Sequence, residues 1–229
     1  MRKWCSVLAV FLACAGIAMV VVSQRTHRWA APPVPSAAAA GLTGPAADSA
    51  PQYAAHPRIQ LAAPAAASQG PTLSPRPLPR SLPVTVRIPA ISVDAHIISL
   101  GLGYGGMVNV PSLSTPMLAS WFDGGVTPGQ TGPAVLFGHV DSAVTGPAVF
   151  YRLGDLRPGD LVYVTREDRR TAVFQVDSVD LYSQYGFPDR AIYGTTATPV
   201  LRLITCGGDF DTQTHLYLDR TVAWARYLG

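Results

Sequence analysis

The sequence predicts a mainly-β domain, a barrel or a sandwich, behind an apolar N-terminal run and a proline-rich stretch. Three observations predict it. Short runs of β-branched and aromatic residues recur from Val84 onward. Turn signals built on Gly, Pro, Asn and Asp separate them at intervals of about 8–12 residues. No long stretch carries apolar residues at helical spacing.

The chain has 229 residues. Met1-Arg2-Lys3 gives a positive start, and residues 4–22 follow as 19 positions without a charge. That length can span a bilayer as a helix, which takes about 20 residues. A secretory signal has a shorter apolar region of about 7–15 residues. Residues 1–23 therefore read as a retained signal anchor with a cytoplasmic N-terminus. Phe11-Leu12-Ala13-Cys14 offers a lipoprotein-type cleavage site as the alternative, which the apolar run beyond Cys14 disfavours.

Residues 24–81 read as a disordered linker. Positions 24–80 hold 16 Ala and 11 Pro in 57 residues. Such a composition buries too little apolar surface to offset the entropy of ordering. Extended at about 3.1 Å per residue, it reaches on the order of 180 Å. The foldable part is 82–229, ample for one domain.

Within that domain, 84–88 and 93–100 read as strands. Gly101-Leu-Gly103-Tyr-Gly105-Gly106 matches a dinucleotide-binding pattern by letter. That pattern must open a helix. Here it leads into Met107-Val-Asn-Val110, a short strand, so a glycine-rich turn is the better reading. Residues 112–122 are expected to form a short helix burying Trp121. Residues 134–138 read as a buried strand ending at His139, and 149–153 as a helical turn. Residues 161–166 and 171–181 pair around a polar tip at 167–170. A short helix is expected over 188–193. Strands over 199–206 and 220–227 close the set.

Charge and cysteine content bound the function. The formal net charge is +3, but the surplus lies upstream. From residue 82 onward ten arginines face thirteen carboxylates. A mildly acidic domain without a basic cluster argues against nucleic-acid binding. Of the three cysteines only Cys206 lies in the foldable part, so no intradomain disulfide is expected and the thiol is a candidate nucleophile.

The candidate chemistry converges on three residues. Leu201-Arg-Leu-Ile-Thr205-Cys206-Gly207-Gly208 reads as a strand delivering a thiol to its end, with glycines that let the chain turn there. Gly138-His139 ends another apolar strand, 67 positions upstream of Cys206. Arg220 lies 14 positions downstream of Cys206 and opens the last strand. A thiol near pKa 8.5 and an imidazole near 6.5 are each unprimed alone. Side by side they can exchange a proton and yield a nucleophilic thiolate. A fixed guanidinium suits an oxyanion. His139 and Asp141 as two metal ligands at i, i+2 are a weaker reading, and a structural cysteine is the bland one.

Three segments then resemble one family. Leu203-Ile204-Thr205-Cys206 resembles the signature around the sortase nucleophile. Gly138-His139-Val140-Asp141-Ser142 is similar to the sortase histidine segment. Tyr217-Leu-Asp-Arg220-Thr-Val222 resembles the segment carrying the sortase arginine. Cys206-Gly-Gly-Asp-Phe-Asp211 is most similar to class F. The resemblance implies a closed eight-stranded β-barrel with short helices over 82–229. It implies a membrane-anchored cysteine transpeptidase outside the cell membrane that cleaves an LPxTG-like sorting signal between Thr and Gly. It implies acyl transfer to an amine of peptidoglycan precursor or a pilin. No run of carboxylates suggests a calcium site, and no cofactor is expected. Carried over, Cys206 is the nucleophile, His139 the general acid and Arg220 the transition-state stabiliser. Some relatives have Asn where Arg220 stands and a basic residue earlier, near His215. Two alternatives stand beside this one. An L,D-transpeptidase would show a Ser-His-Gly-Cys-like segment, which Thr205-Cys206-Gly207 lacks, and a non-catalytic surface barrel would need no reactive thiol.

Overall fold

The structure, a computed structural model, describes residues 31–35, 75–143 and 145–229. The expected anchor over 4–22 lies outside these residues. Among the described residues no helix is long and apolar enough to cross a membrane. The strands are β1 Pro83–Ile88, β2 Val93–Leu100, β3 Ala119–Phe122, β4 Gly132–Gly138, β5 Asp141–Ser142, β6 Gly146–Pro147, β7 Leu161–Arg166, β8 Thr171–Ser183, β9 Pro199–Asp211 and β10 Leu216–Tyr227. Among the described residues one short α-helix, α1, spans Asp189–Tyr193. Eight strands close into a barrel in the order β1-β2-β3-β4-β9-β10-β8-β7, while β5 and β6 pair apart. Closure leaves no unpaired edge.

The period-2 pattern explains the core. Val162 and Val164, Phe174 and Val176, Leu201 and Leu203, Ala223 and Ala225 all point into one buried cluster inside the barrel. Each large aliphatic or aromatic side chain buried there stabilises by about 1.5–3 kcal/mol. The intervening residues face outward. On the outer face of β4, β9 and β10, Phe137, Ile204 and Val222 form a second buried cluster, which Ile192 of α1 covers. The barrel wall under the site is therefore apolar on both sides.

The structure departs from the sequence reading in four places. Trp121 is fully buried, but on β3 rather than on a helix over 112–122. Its indole N–H donates to the Val126 carbonyl at 3.0 Å. Ser112 to Thr115 turn instead, because the Ser112 hydroxyl and carbonyl accept from the backbone N–H groups of Ser114 and Thr115, a local alternative to helical bonding. Residues 107–110 form only the single bridge Leu102↔Val108. The third departure is β9, which continues five residues past Cys206, and β10 begins four residues before Arg220.

The fourth lies at the front of the domain. Leu78 packs against the core, and its N–H donates to Gly129 O at 2.8 Å. Arg166, 1% exposed, donates from its guanidinium to the carbonyls of Pro128 and Pro79. The packed body thus reaches back to Leu78, before residue 82. Proline-rich composition hid this because one leucine and a few backbone groups make the contacts, and these leave no hydrophobic period in the sequence.

Candidate active site

The strand registers bring the three residues abreast. β4 and β9 are parallel and keep a constant offset, from Gly132↔Pro199 to Phe137↔Ile204. That offset is the 67 positions separating His139 from Cys206. One step beyond Gly138, His139 therefore stands level with Cys206. β9 and β10 are antiparallel, and Arg220 is the direct partner of Cys206. Adjacent strands lie about 4.8 Å apart, so the backbone of Cys206 has that of His139 on one side and that of Arg220 on the other. Parity places all three on the outer face, directly above the buried row Phe137, Ile204 and Val222.

Two backbone contacts fix the histidine. Its Nε2 lies 2.6 Å from the Pro111 carbonyl oxygen. A carbonyl only accepts, so Nε2 carries the hydrogen and Nδ1 is left for proton exchange. The carbonyl of His139 accepts from Phe150 N–H at 3.0 Å. Gly138 allows this approach. A methyl group there would stand 2.5 Å from Val149 and 2.6 Å from Phe150 side-chain carbons.

Cys206 is a free, exposed cysteine. Burial of the surrounding groove nevertheless pushes its thiol up from the ordinary range, Arg220 pulls it down, and Asp141 pushes it up. The resting group is a protonated thiol with a cation at hand to receive the negative charge of a thiolate. Asp141 accepts a hydrogen bond from the Tyr217 hydroxyl at 2.5 Å. Burial, and next that bond, raise the Tyr217 phenol well above its ordinary value. This pair joins two of the quoted segments, and the sequence reading did not connect them. Asp and Tyr at 76 positions' separation give no local signal.

Arg220 lies over the Phe187 ring, its guanidinium carbon 5.2 Å from the centroid. Among the described residues no carboxylate pairs with it. Its donors are thus not consumed by an ion pair. His215 sits elsewhere. It occupies the exposed hairpin tip at φ 57°, packed 6.3 Å from the Phe210 ring. Four residues of strand lie between it and Arg220, five steps or about 17 Å at the usual rise.

Past Cys206 the chain does not turn but bulges. Between Gly207↔Asp219 and Phe210↔Tyr217, β9 has one residue more than β10. Gly208 takes φ +70° there, and a side chain on it would overlap the Asp219 carboxylate. The glycine read as a chain reversal is instead the extra residue of a β-bulge. It sits beside the segment that delivers Arg220.

A closed eight-stranded barrel carries a cysteine, a histidine and an arginine abreast on its outer face. The sortase-domain family model matches residues 86–228, and the chain belongs to the sortase family, a family of cysteine transpeptidases. Solved structures of similar fold include sortase A from Corynebacterium diphtheriae. It is 19% identical over 66% of this chain and 62% of that one, with a TM-score of 0.50. Sortase C1 of Streptococcus agalactiae, solved in complex with MTSET, is 18% identical over 66% of this chain and 68% of that one, TM-score 0.50. Sortase C1 of Streptococcus suis is 16% identical over 65% and 74%, TM-score 0.50. At such identities the likeness carries the fold. No curated protein sequence matches this chain. Family membership removes the L,D-transpeptidase alternative.

Proposed function

We propose that this chain is a membrane-anchored cysteine transpeptidase that cleaves an LPxTG-like sorting signal between Thr and Gly and transfers the acyl group to an amine of the cell wall or of a pilin. The register that sets Cys206 between His139 and Arg220 carries the reading. Within the family we assign the chain to class F, on Cys206-Gly-Gly-Asp-Phe-Asp211 and Gly138-His-Val-Asp-Ser142.

The chemistry runs as follows. The Cys206 thiol first passes its proton to His139 Nδ1; the resulting thiolate attacks the threonine carbonyl carbon, and the π electron pair moves to oxygen. Arg220 N–H groups donate to that oxygen, a contribution of about 2.7–4 kcal/mol when one such donor is removed. The oxyanion collapses, the C–N bond breaks, and the departing glycine nitrogen takes the proton of protonated His139 at Nδ1. A thioester remains on Cys206. The acceptor amine then attacks the thioester carbon and gives a proton back to His139. The C–S bond breaks, and the thiolate is restored.

The anchor over 4–22 holds the domain on the outer side of the membrane, a reading supported by apolar length and the Arg2-Lys3 start. A mature chain beginning near Ala31, or lipidated at Cys14, would contradict it. The reaction itself is tested with a panel of LPxTG-variant peptides and a diglycine-type amine, following amine-dependent product by mass. His139→Ala should lower turnover roughly 10²–10⁴-fold. Wild-type kcat/KM in that variant would remove His139 from the mechanism.

A further inference from the structure

Within the linker, the 31–35 segment Ala-Pro-Pro-Val-Pro is packed onto the barrel. Pro32 and Pro35 are buried while Ala31 and Val34 are exposed. Burial every third residue is the repeat of a polyproline II helix, which turns once per three residues. The Tyr151 hydroxyl donates to the Ala31 carbonyl at 3.2 Å. Below it, the segment's backbone crosses Gly154. A methyl group at Gly154 would overlap the Pro33 carbonyl oxygen and lie 2.8 Å from its carbon and 3.3 Å from the Val34 carbonyl carbon. The three nearest heavy atoms all belong to the strap. Gly154 is thus a gap in the barrel surface shaped to a passing backbone, beside an aromatic hydroxyl. Aromatic side chains with a backbone-wide slot are how proline-rich peptides are held.

We propose that the Tyr151–Gly154 turn is a polyproline-binding groove whose ligand is the chain's own 31–35 segment. Two consequences follow. The covered turn also supports the site: Leu153 N–H donates to Phe150 O, and Phe150 N–H to the carbonyl of His139. Docking therefore braces the loop that positions the imidazole. The second consequence rests on the anchor reading above. With residue 31 held on the barrel, only nine steps of chain lead back to Val22, at most about 30 Å, against the 180 Å reach of a free linker. The domain would work close to the membrane rather than at the end of a long leash.

The test is a thermal-melt cycle on the full chain in detergent micelles, read together with the amide resonances of Tyr151 and Leu153. Pro32→Ser with Pro35→Ser should lower Tm by several degrees, and Gly154→Ala should do the same. The combined variant should melt no lower than either, because both remove one contact. Both should move the Tyr151 and Leu153 amides in the same direction. Additive losses would mean that Gly154→Ala damages the barrel itself, and would overturn the proposal. So would proline substitutions that leave the melt and both resonances unchanged. None of these readouts depends on where the N-terminus resides, so a failed anchor and a failed strap give different results.

Discussion

Two carboxylate-and-cation neighbours pull the Cys206 thiol in opposite directions, and this makes its charge state testable. Burial and Asp141 favour the protonated thiol, while Arg220 favours the thiolate. The midpoint of iodoacetamide labelling against pH should lie above that of an ordinary thiol. Asp141→Asn should lower it by removing a negative charge. Arg220→Ala should raise it by removing a positive one. Midpoints moving the same way in both variants would break this account of the site. Arg220 is separated from His215 by a second comparison, single-turnover acylation of the two alanine variants on one substrate. Arg220→Ala should lose roughly 10²–10³ in acylation rate, and Arg220→Lys should regain only part, since lysine lacks the planar fork. His215→Ala should lose little, because its ring lies at the hairpin tip against Phe210. A crippled His215→Ala beside a near-normal Arg220→Ala would move the third role to the tip. At this scale the sequence named the three residues through motif likeness. It did not reveal the Pro111 carbonyl or the Asp141–Tyr217 pair, because both join segments with no shared local pattern.

Strands and turns were legible where period and punctuation agreed. The strand expected over 93–100 forms as Val93–Leu100, and the tip expected over 167–170 joins β7 to β8. The reading failed where a residue type has two uses. Gly207-Gly208 signals a turn as readily as a bulge, and only pairing with β10 decides between them. The segment before Trp121 has helix-compatible spacing, yet Ala119–Phe122 is recruited as a strand by parallel pairing with β2, a tertiary choice overriding local preference. The bulge yields a prediction. Gly208→Ala must adopt φ near +70° and displace Asp219. It should cost about 1–2 kcal/mol from the left-handed backbone alone, read as a lowered urea midpoint with unchanged slope. It should also slow acylation, since Asp219 precedes Arg220. Wild-type stability and rate in Gly208→Ala would show that the bulge is not what sets the end of β10.

For the whole molecule, the division into anchor, linker and barrel came from composition, and the barrel's closure came from family likeness. Where linker becomes domain did not come from either, because Leu78, Pro79 and the 31–35 strap are held by isolated side chains, backbone groups and a buried arginine, which leave no hydrophobic period. An expectation that the linker contributes nothing to the fold is therefore revised. Deleting residues 24–80 removes the Pro79 carbonyl and the Leu78 contacts, leaving donors of the buried Arg166 guanidinium without an acceptor, at a cost of about 1–3 kcal/mol. Deleting 24–74 keeps them. Chemical denaturation should find the shorter deletion the more stable of the two by that margin. Equal midpoints would return the domain boundary to residue 82.

On the proposed function, the row His139, Cys206 and Arg220 performs acyl transfer through a thioester. The most direct measurement is intact mass of the full chain, acid-quenched after mixing with an LPxTG-type peptide without added amine. The expected product is an adduct of the peptide's acyl portion ending at Thr, located on Cys206. It should be absent in Cys206→Ala and discharged when the amine is supplied. A wild-type chain that labels with iodoacetamide at Cys206 yet forms no adduct with any peptide of the panel would contradict it.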